Sequence, residues 1–373
     1  YDNFMGKLKS IDRQFFISTL ILIGVGLLIF WSASLGLLAR DSVRFGSIAF
    51  KQVFVGLIPG LIAVFIFSRV QPDFWRKYSF YIFIGTLLLN VLVFIPGIGL
   101  SHGGATRWLL IGSFSFQPSE VLKIASILYF ATWLSEVKDE VRTFKYGLVP
   151  LLVLLSITGG ILLAQPDTDT FVVIAFGLVA MFIASGARLK DFLVLICIGA
   201  CALSLLAFTR PYIMSRIMTF INPAENSQGS GYQIQQSLIA IGSGGLFGRG
   251  FGQSVQKFNY LPEPVGDSIF AVAGEEFGFV GTTMLIAVFT FFALRALLLA
   301  TRLASQFSSL VMVGLTSYLI VQAFINIGSM IGVIPVSGIT LPFVSQGSSA
   351  LLLSLCSVGI MLSISRYAKP SLK

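Results

Sequence analysis

The ionisable residues of this chain are few, and several lie inside apolar sequence where a charge needs a reason. Tyr260-Leu261-Pro262-Glu263-Pro264-Val265-Gly266-Asp267 leads into Ser268-Ile269-Phe270 and an apolar run that also holds Glu275 and Glu276. Asp267 follows a Pro/Gly-rich stretch at a helix start, where a carboxylate can serve as a cap. Capping accounts for one acid and leaves two. Asp267 and Glu275 are about two helical turns apart, which predicts three carboxylates on neighbouring faces of one span. Charge at membrane depth costs a few kcal/mol or more, so such residues are by default functional candidates.

A second constellation is Phe116-Gln117-Pro118-Ser119-Glu120-Val121-Leu122-Lys123. Pro118 suits the first turn of a helix, and Glu120 and Lys123 then share a face at i, i+3. Such a pair can sit at the mouth of a polar cavity and hold a phosphate or orient a substrate. It can equally be an internal ion pair that locks two helices. A third group is cationic: Arg107 beside Trp108, then Arg210, Arg216, Arg249 and Lys257. A lipid pyrophosphate, gripped by Arg forks and by backbone N–H groups of Gly-rich turns, would neutralise it; ordinary head groups are the plainer alternative. His102, the sole histidine, cannot build a metal site or a triad alone and reads as solvent-facing. Asp167 and Asp169 fall in Gln165-Pro166-Asp167-Thr168-Asp169, which reads as a tight turn and gives only weak support to a bridged divalent cation. Cys197, Cys201 and Cys356 lie in apolar runs and read as small buried hydrophobes.

The elements that must position these groups follow from composition. The chain has 373 residues, 55% of them hydrophobic and 11% charged, with a mean hydropathy of +0.90. So little charge cannot cover a soluble domain of this size, which predicts an all-α polytopic membrane protein formed as a single domain over residues 1–373. The net charge of +9 is then assigned to cytoplasmic loops and anionic head groups, and no nucleic-acid partner is expected. Ten spans are expected, roughly at 15–38, 53–69, 79–98, 118–136, 147–164, 170–186, 190–209, 268–294, 309–333 and 343–365. The first runs beyond a short signal core and lacks a small-residue cleavage site, so it should stay as a helix. Because the sequence opens at Tyr1 and not Met, residues are expected to precede it.

Placing both termini in the cytoplasm puts most of the 25 Lys and Arg residues inside, and four of the outside ones lie in one long loop that the positive-inside rule discounts. Two outer segments result, near 99–117 and 210–267. The longer one, between the seventh and eighth spans, is Gly-rich with an amphipathic stretch around Gln235 to Ile241, which predicts re-entrant turns and short interfacial helices.

In order along the chain, Arg107-Trp108, Phe116-Gln117-Pro118-Ser119-Glu120 with Lys123, Gln165-Pro166-Asp167, Gly231-Tyr232-Gln233, Ser237 to Gly248, Gln256-Lys257, Leu261-Pro262-Glu263, Asp267, Glu275-Glu276, Asn326-Ile327-Gly328 and Leu341-Pro342-Phe343-Val344-Ser345 with Gly347 and Ser349 resemble the signature blocks of the SEDS proteins (shape, elongation, division and sporulation). The resemblance covers nearly the whole chain. Gln256-Lys257 before Tyr260-Leu261-Pro262-Glu263, and Arg216-Ile217 ahead of Phe220-Ile221-Asn222-Pro223, are more similar to the division branch, FtsW, than to the elongation branch, RodA. The chain departs from the pattern in having Val265-Gly266 where His-Thr is frequent, Gln346-Gly347-Ser348 where Tyr-Gly is frequent, and Asp169 where glycine is usual.

The resemblance implies a peptidoglycan glycosyltransferase that polymerises lipid II at the outer face of the bacterial cytoplasmic membrane. Its implied partners are a class B penicillin-binding protein (an FtsI-like transpeptidase), other divisome proteins, polyprenyl-linked glycan and membrane lipids. On that reading Asp267 is the catalytic base on the acceptor 4-hydroxyl. Arg107, Lys123, Arg249, Lys257, Glu120 and Ser345 bind substrate and pyrophosphate, and Glu275 and Glu276 are supporting acids. A divalent cation, Mg2+ or Mn2+, is compatible with it. The rivals are a lipid II flippase, a RodA-type elongation polymerase and a non-catalytic scaffold. A flippase needs charge along a path between both faces, whereas these acids and bases gather towards one.

Overall fold

The computed structural model describes residues 11–102, 105–112, 114–223 and 229–369. Lys7, Lys9 and Lys373, which entered the charge count, and the side chain of His102 lie outside the described parts. Each expected span falls on a helix, for the plain reason that backbone polar groups in lipid must pair within their own segment. In chain order the helices are α1 (Arg13–Arg40), α2 (Ser42–Phe50), α3 (Ile58–Phe67), α4 (Pro72–Leu92), α5 (Pro118–Val137), α6 (Val149–Ala164), α7 (Thr168–Ala184), α8 (Leu189–Thr209), α9 (Pro211–Ile221), α10 (Ser230–Ser243), α11 (Gln256–Asn259), α12 (Ile269–Ala300), α13 (Gln306–Met330) and α14 (Ser348–Ser365). A π-helical stretch, Lys51–Leu57, joins α2 to α3 into one rod that begins well before the expected residue 53. Seven of the described helices are long and apolar enough to cross a membrane: Arg13–Arg40, Ser42–Phe67, Phe144–Ala164, Lys190–Thr209, Ile269–Ala300, Gln306–Met330 and Ser348–Ser365. α7 is apolar but shorter, and α4 and α5 carry charged residues near their ends.

α13 is the spine of the bundle. It packs on α5, α7 and α12, and its Leu310, Val311, Met312, Leu315, Tyr318 and Leu319 are all buried. Close approach is built in at Gly314, where an added Cβ would meet Met181 Sδ at 2.4 Å and Ile127 at 2.7 Å. α1 and α12 run together and are tied where α1 begins: Asp12 caps α1 by accepting from the Phe15 N–H at 2.8 Å and also takes both Nε and Nη2 of Arg295.

The outer segments depart from the all-helical expectation at one place. Residues 99–117, read from sequence only as a loop, contain a three-stranded antiparallel sheet of Gly99–His102, Ala105–Ile111 and Phe114–Phe116, paired in that order. Strands this short escape a search tuned to apolar helices. Their effect is to hand Arg107, on the central strand, a fixed backbone. The longer segment forms α9, α10 and α11, the short helices the sequence predicts, with Gly-rich turns between α10 and α11.

Candidate active site

Asp267 lies in a turn just before α12, so it is not part of that helix. The turn is pinned from behind. Asn326 of α13 donates its amide to the carbonyls of Asp267 and Ile339, each at 2.8 Å. The buried Ser345 hydroxyl donates to the Gly266 carbonyl at 2.8 Å and accepts from the Leu341 N–H at 2.8 Å. Gln346 N–H donates to the Val265 carbonyl at 2.7 Å. Ser345, expected to touch substrate, thus has its hydroxyl committed to holding the aspartate's turn.

The half-buried Asp267 carboxylate sits against Gly338: a Cβ built there would lie 3.6 Å from Oδ2. Gly338 also lines a cavity of about 280 Å³, together with Lys51, Arg107, Glu120, Lys123 and Asp167. Burial pushes the Asp267 carboxyl up to about 7, with the negative charges of Glu263 and Asp169 helping and the guanidinium groups of Arg216 and Arg107 opposing. Asp169 does two further things. It accepts from Arg216 Nη1 on both oxygens, at 2.9 and 3.0 Å, and from Gly338 N–H at 3.3 Å. Two acids therefore flank Gly338, one of them paired with Arg216.

Arg107 reaches the Pro166 carbonyl and lies 3.8 Å from Asp167, while its Nε is buried without a hydrogen-bond partner. Asp167 also accepts from Ser119 at 3.0 Å and Gln117 at 3.3 Å, tying the start of α5 to the turn before α7. Glu120 and Lys123 form the i, i+3 pair that the sequence predicts, at 2.8 Å and almost fully buried. Lys123 donates a second bond to Gln322 Oε1 at 2.8 Å, and Gln322 in turn donates to the Thr340 carbonyl at 3.0 Å. The pair is an internal lock that also forms part of the cavity wall.

The other predicted charges gather elsewhere. α12 is broken at Gly278 (φ 65°, ψ −164°), and the segment from Gly244 to Lys257 wraps around the break. Glu275 accepts from Ser254 Oγ at 2.6 Å, from Val255 N–H at 3.0 Å and from Gln256 N–H at 3.2 Å, and pairs with Arg249 at 3.4 Å. Glu276 takes Lys257 Nζ at 2.6 Å and Ser32 Oγ at 2.5 Å. Lys257 Nζ also reaches the Gly252 carbonyl at 2.9 Å. None of Arg249, Lys257, Glu275 and Glu276 lines the cavity. In place of the expected contacts with a pyrophosphate, the buried Lys257, Glu275 and Glu276 and the exposed Arg249 form a clamp that closes the Gly244 to Lys257 segment onto α1 and α12. The eight-residue spacing from Asp267 misled because Asp267 lies in the turn before α12 and not on the helix that carries Glu275 and Glu276.

The sequence and the helical bundle have counterparts among known proteins. A family model described as "Cell cycle protein", covering FtsW, RodA and SpoVE, matches residues 13–370. The chain belongs to that family. Stage V sporulation protein E of Bacillus subtilis is 40% identical over 97% of this chain and 99% of its own length. A probable peptidoglycan glycosyltransferase FtsW of Coxiella burnetii is 40% identical over 95% of this chain and 96% of its own. Among solved structures, a chain of a peptidoglycan synthase complex in which polymerization and crosslinking are coordinated superimposes with a TM-score of 0.79 at 26% identity, covering 95% of this chain and 98% of that one. Thermus thermophilus RodA gives 0.71 at 25% identity, covering 97% and 98%.

Several members of the site carry no charge and were given no role from sequence, Asn326 being noted only within a signature block. Gln52, Gln322 and Asn326 are buried amides in apolar helices, and that is the signal that could have found them: an amide in lipid demands partners. Gln52 donates to the Ser345 carbonyl at 3.2 Å and accepts from Gly347 N–H at 3.1 Å, bracing the same turn as Asn326.

Proposed function

We propose that this FtsW/RodA/SpoVE family protein is a peptidoglycan glycosyltransferase that polymerises lipid II at the outer face of the bacterial cytoplasmic membrane, with Asp267 as general base. The observation that carries the reading is the Asp267 carboxyl, raised to about 7 and set against Gly338, itself in the wall of a cavity that Arg107, Lys51 and the Glu120–Lys123 pair also line. A base of that pKa is half ionised at neutral pH and strong enough to take a proton from a hydroxyl as it attacks.

The acceptor 4-hydroxyl gives its proton to an Asp267 carboxylate oxygen while its oxygen bonds to the anomeric carbon of the donor. The bond from that carbon to the diphosphate breaks, and the electron pair leaves on polyprenyl diphosphate. Arg107 and Lys51 face the charge that develops there, and Arg107 Nε is a buried donor still to be matched. Lys123 contributes mainly through the field of its pair with Glu120. A single displacement inverts the sugar linkage. Among the described residues no group of three or more His, Cys, Asp and Glu side chains converges on a point. A Mg2+ or Mn2+ would therefore be held by one or two carboxylates together with the oxygens of the diphosphate, and no step is assigned to one.

The similarity to a chain from a synthase complex supports a class B penicillin-binding protein, an FtsI-like transpeptidase, as partner, and the FtsW and sporulation names among the relatives support a role in septal wall synthesis with other divisome proteins. Ten spans with both termini in the cytoplasm complete the proposal, since that arrangement puts Asp267 outside. The test is purified protein with its partner and labelled lipid II, comparing the native chain with Asp267→Asn. Polymer from the native chain alone supports the reading. Polymer from both removes Asp267 as base, and translocation without polymer makes the protein a flippase.

A further inference from the structure

At the other end of α5, about 24 Å from Glu120 at 1.5 Å per helical residue, α4 and α5 part around a second cavity of about 500 Å³. Its lining includes Asp73, Arg76 and Lys77 from the first turns of α4 and Tyr129, Trp133 and Glu136 from the last turns of α5. The site is preformed. Thr132 donates to Ser79 at 2.9 Å and fastens the two helices beneath it. Trp133 is fixed by its indole N–H, which donates to the Tyr146 carbonyl at 3.1 Å, and Tyr129 stacks on Phe83 with ring centroids 5.0 Å apart and planes 7° from parallel.

The charges are poised and uncommitted by comparison. Arg76 and Glu136 approach only to 4.0 Å, with side chains 44% and 59% exposed, a geometry worth little in water. Asp73 and Lys77 are exposed as well. Two cations and two carboxylates cancel, so a simple anion would meet as much repulsion as attraction. Phe80 in the lining is exposed, as are Phe74, Tyr78 and Tyr81 elsewhere on α4, an aromatic enrichment found where a bundle meets lipid head groups.

We propose that this cavity binds the head group of a zwitterionic aminophospholipid, with the phosphate on Arg76 and Lys77, the primary ammonium on Asp73 and Glu136, and the glycerol and first acyl carbons against Tyr129 and Trp133. A phosphate next to an ammonium is the ligand that satisfies both signs at once. The site is independent of Asp267 and of the reaction proposed for it.

The experiment is native mass spectrometry of the full chain in micelles, titrated with phosphatidylethanolamine, phosphatidylcholine and phosphatidylglycerol of the same acyl composition. One phosphatidylethanolamine per chain should be retained, about tenfold more tightly than either other lipid. Asp73→Asn with Glu136→Gln should erase that preference and move it towards phosphatidylglycerol, and Arg76→Gln with Lys77→Gln should weaken retention of phosphatidylethanolamine. These residues are exposed, so the variants fold, and an unchanged melting temperature verifies it. Equal retention of the three lipids, a native preference for phosphatidylglycerol, or a phosphatidylethanolamine preference that survives the acid replacements would each overturn the assignment.

Discussion

Two clusters of charge occupy the part of the molecule that the sequence marks as outer, and they are built on opposite principles. Around Glu275 and Glu276 nearly every oxygen has a donor and the side chains of Lys257, Glu275 and Glu276 are buried to 1% exposure or less. Around Asp267 the carboxylate faces like charges from Glu263 and Asp169, and the guanidinium that could neutralise it, Arg216, is held by Asp169 instead. A satisfied cluster holds shape; a frustrated one holds a proton of adjustable affinity. Composition cannot separate the two, since each has acids, bases and glycines, and only the pairing pattern does.

The sharpest way to break the comparison is at Asp267. Asp267→Asn should lower polymerisation by about 10²–10⁴-fold, the usual worth of a general base. It should not lower the melting temperature at pH 8. With its folded pKa above the unfolded value of 3.8, Asp267 holds more protons in the folded state between about 4 and 7, so stability falls as pH rises through that window, and the neutral amide escapes the loss. For the clamp the order reverses. Lys257→Met or Glu276→Leu alone leaves a buried charge stranded and should cost about 3–5 kcal/mol in unfolding measurements, while the double replacement should cost less than either. Activity per folded molecule should change little. If the single variants fold normally, the clamp is not structural.

Gly278→Ala comes next. Its φ of 65° disfavours a side chain, and the new Cβ would stand 2.3 Å from Gly248 N, so a loss on the order of 1–3 kcal/mol is expected. The smallest effect sharpens the contrast most. Asp169→Asn removes a negative charge near Asp267 and releases Arg216 to face it, and both changes act in the same direction. The acid limb of the rate profile, centred near 7 in the native chain, should move to lower pH, whereas Arg216→Gln should move it up. No movement in either variant would mean that burial alone sets the carboxyl.

Much of this was open to inspection in the chain itself. Helical runs long enough to span lipid, the Glu120–Lys123 pairing and the singling out of Asp267 follow from hydropathy, helical spacing and the scarcity of charge. What escaped has a common physical origin, namely contacts between residues far apart in sequence. Glu276 meets Ser32, Asp169 meets Arg216, and Asn326 meets Asp267; no local periodicity announces such partners. The β-sheet escaped for a different reason, its strands being only three to seven residues long.

The rod from Ser42 to Phe67 is among the least buried of the apolar helices, yet at its π-helical turn Gln52 grips the backbone on both sides of Gln346, whose N–H holds Val265 two residues from the aspartate. Lipid thus leans on one end of a short mechanical linkage and the reactive carboxylate hangs from the other. A tilt of that rod, whether from bilayer thickness or from a neighbouring transmembrane helix, would be transmitted to the acid without crossing the core.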